Sequence, residues 1–202
     1  MTLPVEFFLP SPLQVARQLL GCVIVRRMDD ELLSGRIVET EAYGGLHDPS
    51  CHIVARDRRI WDLLKGPPAV LYMHRSYEHY LLNIVTSAPG TPACVLVRAL
   101  EPLTGHALMR RNRRITSDRD LTNGPAKLVQ ALAIKPDWEG LTLPLPAFWL
   151  DAGEPVTNDS VVNTVRIGLK YGKDLPWRFA LQNNPWVSRK TVQTLPLLTD
   201  RR

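Results

Sequence analysis

The segment Arg36-Ile-Val-Glu-Thr-Glu-Ala-Tyr43 puts two carboxylates and a phenol into one short run of strand-forming residues. Successive strand side chains point to opposite faces, so Glu39, Glu41 and Tyr43 share one face and Val38, Thr40 and Ala42 the other. A carboxylate beside a flat ring suits a general base acting on a substrate seated against that ring. Carboxylates at i and i+2 stand about 7 Å apart by strand rise, a spacing that also admits an acid and base pair acting on a sugar. The same pattern fits a solvent-facing strand with two idle glutamates. The strand alone leaves the three readings open.

More rings follow. His52 comes 11 residues after Glu41, and a second cluster holds Tyr72, His74, Tyr77 and Tyr80. Tyr72 and His74 share a strand face, where Tyr72, like Tyr80, also suits a core. Tyr77 falls in the polar turn Arg75-Ser76-Tyr77-Glu78, where packing does not need it. An exposed aromatic at a hairpin tip has the form of a wedge that enters a base stack. Asn83 shares a face with Leu81 and Val85, so its amide is either a satisfied buried group or a specificity contact. Cys51-His52 has no partners at metal-ligand spacing, and neither metal nor cofactor is expected.

The elements that must position these residues follow from cap, turn and periodicity signals. Ser11 caps a helix opened by Pro12, and strands are predicted at 22–27, 36–43, 70–74, 80–86, 93–100, 165–169 and 177–181. Helices are predicted at 60–64, 105–111 and 125–133, with loops at 143–146 and 154–155. Strands and helices do not alternate, which favours an α+β fold: a mostly antiparallel, curved mixed sheet with peripheral helices and a protruding β-hairpin. The chain has 202 residues, 45% hydrophobic and 22% charged, excluding a disordered or fibrous protein. That length buries roughly 70% of the unfolded surface without a metal or disulfide, so one domain over 1–202 is expected, with 191–202 a flexible tail. Three cysteines without a CxxC argue for a reducing compartment. With no export signal and no long apolar run, a cytoplasmic protein is expected, or a nuclear one if eukaryotic, with no membrane partner.

The net charge of +5 is unevenly placed, with 4 basic and 7 acidic residues in 1–50 and 8 basic and 2 acidic in 165–202. Arg110, Arg111, Arg113 and Arg114 form a further basic knot. A polyanion such as nucleic acid suits this pattern, as does a solvated helix face.

Four blocks carry a resemblance. They are the Arg36 to Tyr43 segment, Cys94-Val-Leu-Val-Arg-Ala-Leu-Glu-Pro-Leu103, Asn123-Gly-Pro-Ala-Lys-Leu-Val-Gln-Ala-Leu-Ala-Ile134 and Pro185-Trp-Val-Ser188. In order and spacing they resemble the alkyladenine (3-methyladenine) DNA glycosylases of the mammalian type. The resemblance implies a base-excision repair enzyme. It flips an alkylated or deaminated purine (3-methyladenine, 7-methylguanine or hypoxanthine) from double-stranded DNA and hydrolyses the N-glycosidic bond, acting as a monomer without strand cleavage. It makes Glu41 the general base and gives Arg98 and the Ile167 carbonyl the task of holding the attacking water. Tyr43, His52, Tyr72 and His74 then line the base pocket, and Asn83 obstructs the exocyclic amine of guanine. Tyr77 fills the gap in the stack. Read from the residues themselves, Lys127 at a helix N-terminus and Arg110 and Arg111 of the basic knot either face phosphate or form a solvated surface. Where the family commonly has Tyr-Val-Tyr this chain has Tyr72-Met73-His74, so one ring is an imidazole. Two other classes fit parts of the pattern. A noncatalytic nucleic-acid-binding module would not need Glu41, and a hydrolase of free nucleosides or glycosides would not need Tyr77.

Overall fold

A computed structural model describes residues 1–45, 48–51 and 57–189, so the expectations for His52 and for residues 191–202 lie outside the described residues. The Ser11 hydroxyl accepts the Gln14 N–H while the Gln14 side chain accepts the Ser11 N–H, and Pro12 opens α1 (Pro12–Gln18). This helix buries Val15 and Ala16 against the sheet, and the Thr40 hydroxyl donates to the Ala16 carbonyl at 2.7 Å.

Eight strands follow: β1 (Val23–Met28), β2 (Glu31–Gly44), β3 (Leu71–Ser76), β4 (His79–Val85), β5 (Ala93–Thr104), β6 (Phe148–Asp151), β7 (Val161–Thr164) and β8 (Arg178–Leu181). The order is β3-β4-β5-β2-β1-β6, and β8 pairs with both β2 and β7. Every strand pair among the described residues is antiparallel, which resolves the mixed sheet allowed by the sequence. α2 (Arg58–Leu64), α3 (His106–Arg113) and α4 (Pro125–Ala131) complete the fold. Among the described residues no helix is long and apolar enough to cross a membrane.

The fourteen residues of β2 organise the sheet. Along one edge β2 pairs with β1 up to Arg36 and with β8 from Glu39, and its register against β5 shifts between Ile37 and Glu39. Val38 is the inserted residue of a bulge, which bends a strand and lets it change neighbours. The two faces of the sheet then do different work. Met73, Ile84 and Val95 point into the main core, whereas the alternating Tyr72, Val85 and Cys94 join a smaller cluster with Leu64 of α2.

One expectation fails and one strand goes unforeseen. Residues 165–169 form no strand: Gly168 takes φ 77°, and the Ile167 N–H is given to Glu41 rather than to a neighbouring strand. The closing pair is β7 with β8 instead. β6 was not predicted, because four residues directly after the Pro-rich 143–146 are too short for periodicity to show; its register is supplied by the edge of β1.

Candidate active site

The antiparallel register lines up Tyr72, Asn83, Leu96, Glu41 and Arg178 as one lateral row across β3, β4, β5, β2 and β8. Residues far apart in sequence thereby share one face, and a cleft of about 680 Å³ opens there, with Tyr43, Tyr72, His74, Asn83, Arg98 and Ile167 in its wall. Glu41 lies directly behind that wall, completely buried. Its Oε1 accepts the Ile167 N–H at 2.7 Å, and its Oε2 accepts the Tyr43 hydroxyl at 2.6 Å and faces Arg98 Nη1 at 3.2 Å. A carboxylate offers about four lone-pair directions, so roughly one, on Oε1, remains open.

The solvent-facing reading of the strand fails, because Glu39 is also completely buried. The acid–base pair fails with it. Glu39 accepts from Arg98 Nε at 3.1 Å, Arg178 Nε at 2.6 Å, and the Ser188 N–H and hydroxyl at 2.6 and 2.9 Å, which leaves it no room for a substrate. Its place is structural: Glu39 fixes one end of Arg98 while Glu41 takes the other. Burial alone would lower the Arg98 pKa, but the two carboxylates outweigh it and raise it, so Arg98 stays cationic. The Tyr43 hydroxyl is held well above its ordinary value by burial and by Glu41, so it donates to that carboxylate.

The hairpin tip of β3 and β4 carries Tyr77 at φ 55° and 94% exposed, an unusual backbone for a bulky side chain and an unusual exposure for a ring. Asn83 is buried and donates to the Tyr72 and Leu81 carbonyls at 3.3 and 3.1 Å, which fixes its amide at the cleft wall.

A chain with this arrangement matches the methylpurine-DNA glycosylase family model over residues 6–185. The chain belongs to that family. It is 63% identical over 194 residues to a protein of Gloeobacter violaceus named for 3-methyladenine DNA glycosylase activity, covering 96% of this chain and 90% of that one. Relatives named in the same way come from Carboxydothermus hydrogenoformans (43% identical over 192 residues, 94% of this chain and 100% of that one) and Bacillus licheniformis (37% over 192 residues, 93% and 96%). The protein is a DNA glycosylase, a hydrolase of DNA repair whose substrate is DNA.

Sequence reasoning missed part of this glycosylase's site. Asp48 and Arg166 form a completely buried bidentate pair, Nη1 to Oδ2 at 2.7 Å and Nη2 to Oδ1 at 2.8 Å, across 118 residues of sequence. Burial pushes the Asp48 carboxyl up, but Arg166, Ser50 and the Gly44 N–H outweigh it and hold it below its ordinary value. Arg166 also donates to the Ala42 and Gly172 carbonyls, tying the end of β2 to the segment that carries Ile167. A lone arginine beside Ile167 was the one local signal.

The basic candidates divide. Arg110 is engaged by Asp118, and Lys127, at the cleft rim, by Asp120 and Asn123, whereas Arg111 is exposed. Burial raises the Cys51 thiol to about 11 and the Cys94 thiol, in the cleft wall, well above its ordinary value, so both favour the protonated form at neutral pH.

His74 lies 2.7 Å from the Tyr72 hydroxyl through Nδ1, and burial lowers its pKa below the ordinary value near 6.5. A histidine lowered in the folded state costs stability only as pH falls below its unfolded value near 6.5, and the loss is complete beneath its folded value. The rate ratio for releasing a cationic base against a neutral one is therefore expected to stay flat from pH 8 to about 6.5 and to fall only below that, as a cationic His74 repels the charged base. His74→Tyr should hold the ratio flat throughout. A ratio unchanged at pH 5 in the parent would mean either that His74 stays neutral there or that it does not meet the base, and an unchanged lesion preference in His74→Tyr would point to the second.

Proposed function

We propose that this glycosylase turns an alkylated or deaminated purine out of duplex DNA into the cleft and cuts its N-glycosidic bond with a water activated by Glu41, leaving an abasic site. The observation that carries the reading is Glu41 itself, sealed behind the cleft by three groups of the cleft wall and with one acceptor position open on Oε1. A water donating there meets a carboxylate that also faces Arg98, and the Ile167 carbonyl is its second anchor. As the glycosidic bond breaks, the sugar gains positive charge, the water attacks C1′, and its proton passes to Glu41.

The base takes the bonding electron pair as it leaves, so a purine made cationic by alkylation at N3 or N7 departs neutral and is the better leaving group, whereas a neutral purine such as hypoxanthine departs as an anion that gains a proton from solvent. Tyr43, Tyr72 and His74 supply stacking surface, and Asn83 stands where the guanine amine would need room. Reaching a base inside a duplex costs a few kcal/mol of unstacking, least for damaged or mispaired bases. Tyr77, exposed at the hairpin tip, is suited to fill the gap. Removing it with Tyr77→Ala is expected to weaken capture about tenfold, in line with the roughly 1–3 kcal/mol of one base–aromatic stack, with a larger loss on well-paired lesions than on mispaired ones. Equal losses in single-turnover assays on the two duplexes would speak against the wedge.

The function is tested by incubating the protein with duplexes carrying one hypoxanthine or one 7-methylguanine and measuring alkali-labile abasic sites. Binding without abasic sites would favour a noncatalytic module. Release from free nucleosides alone would favour a nucleosidase.

A further inference from the structure

The ring of Tyr43 has a cation behind it. The Arg166 guanidinium carbon lies 4.6 Å from the Tyr43 centroid and 5.1 Å from the Trp177 centroid. Tyr43 is in the cleft wall and Arg166 is not; the Arg166 side chain is completely buried. A base stacked on the cleft side of Tyr43 therefore sits about 8 Å from a fixed positive charge, given an ordinary stacking separation. Unopposed, that charge would repel a cationic base and compete with it for the same π system. It is opposed, by the bidentate Asp48 carboxylate.

We infer that Asp48 is a specificity-determining residue: by neutralising Arg166 it leaves Tyr43 free to stack a cationic base. This rests on the cleft being the base pocket. Glu41 and Arg98, the other charges near Tyr43, compensate one another and do not replace Asp48 in this task. Asp48 also accepts from the Gly44 N–H, the Ser50 N–H and the Ser50 hydroxyl, contacts that hold the following loop and carry no charge preference. The two tasks are separable, because holding a loop affects every lesion alike.

The experiment compares single-turnover release of 7-methylguanine, cationic in DNA, with release of neutral hypoxanthine from otherwise identical duplexes. It uses the parent, Asp48→Asn, Arg166→Gln and the double variant, each checked by thermal melting. Asp48→Asn should lower the cationic-to-neutral ratio about tenfold, the size expected for one unit charge near 8 Å at an effective dielectric near 20 once partial screening is allowed for. Arg166→Gln, which leaves the carboxylate behind the ring, should raise the ratio, and the double variant should return it towards the parent's. If Asp48→Asn does not fold, the opposite shift in Arg166→Gln and its reversal in the double variant decide the matter. Equal losses on both lesions in every variant, or an unchanged ratio, would overturn the inference and leave the glycosylase reading standing. A parent that releases neither base would overturn both.

Discussion

Replacing Glu41 with Gln is expected to slow base release by roughly 10³-fold or more, within the range that a positioned general base contributes. The cause is specific to this site. The Ile167 N–H donates to one carboxylate oxygen, while the Tyr43 hydroxyl donates to the other and the Arg98 guanidinium pairs with it, so each of these partners suits a carboxylate oxygen and not an NH₂. Either orientation of a glutamine sets its NH₂ against one of them, and the amide cannot take the water's proton in any case. One unsatisfied buried contact costs about 1–3 kcal/mol, enough to lower the melting temperature but not to unfold a domain of this size. Binding to lesion-bearing duplex should stay within about tenfold, since the cleft wall keeps its shape. Single-turnover rates comparable to the parent's would remove Glu41 as the base.

Arg98→Met is expected to have the second largest effect, on stability and activity together. Arg98 is the cation between two completely buried carboxylates, with Nε on Glu39 at 3.1 Å and Nη1 on Glu41 at 3.2 Å. Breaking a buried pair by removing one partner typically costs about 3–5 kcal/mol, roughly 10 °C in melting temperature for a chain of this length. The substitution takes away the cation 3.2 Å from Glu41 while Glu39 keeps Arg178, so the pH dependence of the rate should change. Arg98→Lys should restore charge but not the two-point grip, recovering stability more than rate. A methionine variant that melts with the parent and keeps its pH profile would show that Arg98 does not govern the base.

The sequence made the shared face of Glu39, Glu41 and Tyr43 legible, because strand alternation is a local rule and the bulge at Val38 precedes them. The cap at Ser11 and the turn around Tyr77 were legible for the same reason. What alternation cannot report is burial. Nothing within a few residues of Glu39 says that it faces Arg178 and Ser188 rather than water, since those partners lie 139 and 149 positions away. The Asp48 and Arg166 pair was hidden by the same distance. Residues 165–169 read as a strand on composition, and the left-handed backbone at Gly168 together with the gift of the Ile167 N–H to Glu41 keeps them from being one.

That long reach from Glu39 to Ser188 also has a meaning in time. A nascent chain makes Glu39, Glu41 and Arg98 well before Arg178 and Ser188, so for that interval only one of the two arginines that meet Glu39 exists. At about 5–20 residues per second, the 149 residues from Glu39 to Ser188 take on the order of ten seconds to synthesise. Until they arrive, Glu39 lacks the Arg178 and Ser188 donors that satisfy it in the folded protein. The network around Glu41 is therefore complete only once residues as late as Ser188 are made, and a chain halted before Arg178 holds Glu41 without it.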